Sequence, residues 1–84
     1  MTIEEIEIQL ALGTLSVDMK IELAQNPNTP KKILVILSTE DNHFYVRCRV
    51  VKNPNTPPEA LAILSKDEDC VISSLAAHQF YQKH

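Results

Sequence analysis

The chain has 84 residues, 44% hydrophobic and 23% charged, with a net charge of −3; this globular composition excludes disorder and an overall basic footprint for nucleic acid or anionic membrane. At this length a single core gives only modest stability, so a partner surface or self-association is expected to contribute. The opening Met-Thr-Ile-Glu-Glu lacks the positive region of a signal peptide, and no apolar run approaches the roughly 20 residues that span a bilayer, which gives a soluble, cytoplasmic protein with Cys48 and Cys70 reduced.

Taken in chain order, Thr2 and Glu5 form a capping box that opens a helix over about 3–12, with Ile3, Ile6 and Leu10 on one face and Gly13 as its C-cap. Glu4, Glu5 and Glu7 suit the positive end of that helix's dipole. Ser16 caps a second helix over about 17–25, which Asn26-Pro27 ends. Thr29 starts a third over about 30–38, with Pro30 at the first position, where its missing N–H costs nothing. A fourth runs about 43–52 and stops at Asn53-Pro54, because a residue before proline avoids the α region. Thr56, Pro57 and Glu59 then read as a complete capping box for a fifth helix over about 57–65, and a sixth follows over about 69–82. The third and fifth helices are short enough to include 3₁₀ turns.

The fifth start signal repeats the third. Asn26-Pro27-Asn28-Thr29-Pro30 recurs as Asn53-Pro54-Asn55-Thr56-Pro57, an offset of 27, and Leu34, Ile36, Leu37 and Ser38 match Leu61, Ile63, Leu64 and Ser65. Beyond the intervening loop the offset is 25, so that Tyr45-Val46 faces Cys70-Val71 and Val50-Val51 faces Leu75-Ala76. A degenerate earlier copy sets Met19, Leu23 and Ala24 opposite Val46, Val50 and Val51. The pentapeptide is a stop, a turn and a start in five residues, which gives its Asn, Thr and Pro residues an architectural role. Six helices result, in one domain of three pairs, about 1–25, 26–52 and 53–84.

NPNTPPEALAILSKDED, followed by a helix of the YVRCRVVKNPNTP type, resembles the leucine-rich-repeat-variant family, related in architecture to HEAT-like α-solenoids. The resemblance covers roughly residues 17–78. It implies an all-α, short right-handed solenoid of two to three helix pairs that alternate an α-helix with a 3₁₀ or short α-helix, without strands. The iron–sulfur segment described for one member is not matched here: Cys48 and Cys70 cannot supply the four thiolates of such a cluster. No cofactor is expected.

His43, His78 and His84 with Cys48 and Cys70 contain no Cys-x-x-Cys or His-x-x-x-His pair, so ordinary packing and surface roles outweigh a zinc site. No thiol–imidazole or other catalytic constellation is recognisable, and Asp67-Glu68-Asp69 reads as a solvated acidic cap. Charge is uneven, with net −4 over residues 1–25, +3 over 26–52 and −2 over 53–84. At about 100° per residue Asn42, Tyr45, Arg49 and Lys52 share one helix face, opposite Val46, Val50 and Val51. Arg47 falls in the apolar arc, where its stem should pack while the guanidinium reaches a loop carbonyl or carboxylate.

Lys31, Lys32, Tyr45, Arg49 and Lys52 are therefore candidate partner-binding residues, joined by Phe80 and Tyr81, which either cap the last pair or contact another chain. A basic strip between acidic flanks suits a protein partner, or a second copy in a homodimer, better than nucleic acid, although HEAT-like solenoids do cradle phosphates. The expectation is a non-enzymatic interaction module, with nucleic-acid binding through the basic middle as the alternative.

Overall fold

Side chains close by in sequence decide where each helix begins and ends. The computed structural model describes residues 2–39 and 43–83, which form six α-helices and no strand: α1 (Ile3–Leu12), α2 (Val17–Gln25), α3 (Lys31–Thr39), α4 (Phe44–Lys52), α5 (Pro58–Leu64) and α6 (Cys70–Lys83). The Thr2 hydroxyl accepts the Glu5 N–H at 3.2 Å while the Glu5 carboxylate accepts the Thr2 N–H, so the first capping box is closed in both directions. Gly13 ends α1 at φ 72°, a left-handed conformation that glycine adopts at no steric cost. Ser16 caps α2 through the Met19 N–H.

One expectation fails at the later starts. The short helices α3 and α5 are α-helical, with three-residue spacing where the Pro30 and Pro57 carbonyls accept from Ile33 and Ala60 as well as from Leu34 and Leu61, and at the exit of α5, where the Ile63 and Leu64 carbonyls accept from Lys66 and Asp67. Thr56 is not an N-cap. Pro57, extended at ψ 161°, occupies that position without a side-chain cap, because a residue that precedes proline, here Pro58, is driven out of the α region. The Thr56 hydroxyl instead donates backwards to the Val50 carbonyl, and Thr29 does the same to Leu23 at 2.6 Å. Thr29 thereby satisfies an orphan carbonyl in the last turn of α2, while Thr56 adds a second donor to a carbonyl that also accepts the Asn53 N–H.

The helices form two layers. α1, α3 and α5 lie side by side in one, α2, α4 and α6 in the other, and successive helices from α2 to α6 also pack across the layers. α1 is the exception, since it packs on α3 and not on α2. The shortest dimension of the molecule, 16 Å, is what two helix layers about 9 Å apart require. Between the layers lie Ile33, Leu34 and Leu37 of α3, Val46, Val50 and Val51 of α4, Leu64 of α5, and Ile72 and Ala76 of α6, with Ile6 and Leu10 closing one end. Ile3, expected on the same buried face as Ile6 and Leu10, is 47% exposed, because α1 has no α2 against it. No described helix is long and apolar enough to cross a membrane.

The pentapeptide turns are stacked one on the other. In both, the Thr N–H donates to the first Asn carbonyl, and that asparagine's Oδ1 accepts the N–H two residues on, at 2.9 Å in the first turn and 2.8 Å in the second. The amide nitrogens then reach across the repeat: Asn53 Nδ2 donates to Ala24 O (2.7 Å) and Asn26 O (2.9 Å), and Asn55 Nδ2 to Thr29 O (2.7 Å). This asparagine ladder fixes the register of the repeats. It therefore sets α2 and α4 level with each other.

Candidate interaction surface

α4 begins at Phe44, where His43 Nδ1 accepts the Tyr45 N–H at 3.2 Å, and it ends at Lys52 ahead of extended Asn53. Its apolar face is taken up by α2, α3 and α6. That leaves Tyr45, Arg49 and Lys52 exposed on the remaining face, at the i, i+4, i+7 spacing that aligns residues along a helix. Tyr45 is 57% exposed and stacks on His43 with ring centroids 5.4 Å apart. Arg49 and Lys52 enter no ion pair among the described residues. Asn42, assigned to the same face, lies outside those residues.

Arg47 is withdrawn from this surface. Its Nε lies 2.8 Å from Asp67 Oδ2, both side chains being less than a fifth exposed. Asp67 is consequently not the solvated acid expected of it but a tie between α4 and the loop before α6, where its other oxygen accepts the Asp69 N–H. Asp69 takes the capping role, accepting the N–H groups of Val71 and Ile72.

The structure does not gather the basic middle into one strip. Lys32 pairs with Glu7 of α1 at 3.2 Å, with 70% of its side chain still exposed, a bond of the kind worth under about 1 kcal/mol but enough to occupy the ammonium group. Lys31 is exposed on α3, in the opposite layer from Arg49 and Lys52. Phe80 and Tyr81 stand apart at the far end of the stack, where with Ala62, Ser65 and Ala77 they border an open hollow of about 150 Å³. Phe80 is half-buried and Tyr81 79% exposed.

A row absent from the sequence expectations lies beside Arg49 and Lys52. Asp18, Glu22 and Gln25 are all exposed on α2, and the offset of 27 makes them the counterparts of Tyr45, Arg49 and Lys52. The signal was available, since Met19, Leu23 and Ala24 already fixed that alignment. On the other side, the corresponding row of α6 is Cys70, Ser74 and Ala77, without charge. The basic row is thus flanked by acid on one side only. Chemically the surface offers paired charges and an aromatic ring but no enclosed cavity; the depression of about 550 Å³ bordered by Glu22, Gln25, Asn26 and Pro27 is open. Among the described residues no three His, Cys, Asp or Glu side chains could hold a metal, and His84 lies outside them. Cys48 and Cys70 are free thiols.

The family model of the leucine rich repeat variant matches residues 46–69, from the third residue of α4 through the second turn and α5 to the cap of α6. No curated protein and no solved structure matches the chain. Residues 46–69 are thus similar to a leucine-rich-repeat-variant repeat, within an all-helical stack.

Proposed function

From a chain built around a leucine-rich-repeat-variant repeat, we propose a non-enzymatic protein-interaction module of the cytoplasm that meets its partner through the outer face of α2 and α4. The observation that carries this reading is the position of Tyr45, Arg49 and Lys52: aligned, exposed and unneutralised within the described residues, on a helix whose other faces are packed. An aromatic residue and an arginine at the centre of an open surface are the side chains that carry binding energy at protein interfaces. Enzyme chemistry has no support in the two hollows bordered by described residues, both of them open and without paired titratable groups. Binding to phosphates is weakened as an alternative, since Lys32 is occupied by Glu7, Lys31 faces another way, and Asp18 and Glu22 lie alongside.

Capture of proteins from an extract of the source organism, with the wild-type chain and with Arg49→Glu/Lys52→Glu, tests the reading. A partner retained by the wild type and lost with the variant is the expected result. Equal retention on both, or tight salt-sensitive binding of a random oligonucleotide, contradicts it.

A further inference from the structure

The acidic row of α2 and the basic row of α4 are more than neighbours. Because one antiparallel helix separates them in the chain, α2 and α4 run in the same direction, and the asparagine ladder holds them in register. Asp18 is therefore level with Tyr45, Glu22 with Arg49 and Gln25 with Lys52. All six are exposed, and neither acid is neutralised by an ion pair among the described residues. A surface with a negative stripe beside a positive one, in register, is complementary to itself under one operation. A two-fold axis lying in the surface, parallel to the helices and midway between them, lays α2 of one copy over α4 of the other without changing the level of any residue. The opposite choice, a two-fold axis across the helices, sets acid on acid and base on base, and is rejected electrostatically.

We propose that this face binds a second copy of the chain as a symmetric dimer, in which Glu22 pairs with Arg49 of the partner subunit, Gln25 with Lys52 of the partner subunit, and Asp18 meets the hydroxyl of Tyr45 of the partner subunit, each contact occurring twice. The proposal rests on the reading of this face as a protein-binding surface and names its occupant. Charge complementarity favours the second copy over an unrelated acidic protein, which would satisfy α4 but stand against Asp18 and Glu22. Val17, 45% exposed, and Tyr45 supply apolar area beside the charges.

Sedimentation of the 84-residue chain over a range of concentrations, at low and high salt, tests this with three proteins. The wild type should dimerise, more weakly at high salt because the contacts lie near the surface. Glu22→Arg and Arg49→Glu should each weaken the dimer by at least about tenfold, since each sets like charges opposite one another twice. Mixed in equal amounts, the two variants should recover a heterodimer, in which Arg at position 22 faces Glu at position 49 and the unaltered Arg49 faces the unaltered Glu22. Both substitutions are at exposed positions, and unchanged circular dichroism and melting confirm that the variants fold. A wild type that remains monomeric throughout overturns the proposal, as do variants that dimerise like the wild type, or a mixture that stays monomeric. Failure here together with capture of a different protein through α4 would leave the broader interaction reading intact; loss of that capture result is a separate outcome.

Discussion

The two Asn-Pro-Asn-Thr-Pro turns have the same letters and nearly the same backbone, with Asn26 at φ −75°, ψ 120° and Asn53 at φ −71°, ψ 126°, yet they occupy different environments. Asn53 is 4% exposed and Asn55 half-buried, while Asn26 and Asn28 are exposed. The second turn lays its amide nitrogens on the first turn's carbonyls; the first turn receives those bonds and makes no equivalent ones among the described residues. The threonines do not follow this division, for both are buried and both donate to the carbonyl six residues back. The pentapeptide thus contains a part that acts within its own turn, the threonine and the Asx bond, and a part that acts between turns, the two amides.

The largest expected effect follows from separating those parts. Asn53→Ala leaves the carbonyl of Ala24 without its donor in a buried setting and also removes an Asx turn, at a cost of about 3 kcal/mol in urea unfolding, against less than about 1 kcal/mol for Asn26→Ala. Asn53→Asp sharpens the point: it keeps the acceptor for the Asn55 N–H but sets a carboxylate against two carbonyls, and should be at least as damaging as Asn53→Ala.

Thr29→Val should cost about 1–2 kcal/mol, leaving the Leu23 carbonyl without its donor, and Thr56→Val no more than that, because the Val50 carbonyl keeps the Asn53 N–H. A clearly larger loss at Thr56 would break the division between parts that act within a turn and parts that act between turns. Gly13→Ala tests a helix exit of another kind. No atom lies within 4 Å of the added methyl group, so the loss of about 1 kcal/mol should come from the left-handed backbone alone, read as a fall in the thermal midpoint. Asn55→Ala should cost about 1 kcal/mol through one cross-turn bond, with Asn28→Ala close to neutral.

Much of the fold was legible because its signals are local. The Thr2–Glu5 box, Gly13, Ser16 and the Asn-Pro stops each act within a few residues, and the helix bounds they imply differ from those observed by about one residue. Thr56 was misread for the same reason: the local pattern of a capping box is present, but Pro58 keeps Pro57 extended and the hydroxyl finds the Val50 carbonyl instead. The asparagine ladder was hidden, since a repeated sequence does not say which copy gives and which receives. The surface was partly legible. Helical periodicity grouped Tyr45, Arg49 and Lys52 on one face, but it treated charge as a property of segments. Only the packing assigns Lys32 to Glu7, Arg47 to Asp67, and an acidic row to the flank of Arg49.

The most direct test of this account is the difference in unfolding free energy between Asn53→Ala and Asn26→Ala, measured by urea denaturation under identical conditions. Two turns related as giver and receiver predict a gap of about 2 kcal/mol or more, with the second-turn variant the weaker. Equal losses at the two positions would mean that the asparagines act only within their own turns, and would contradict the ladder that places α2 and α4 side by side.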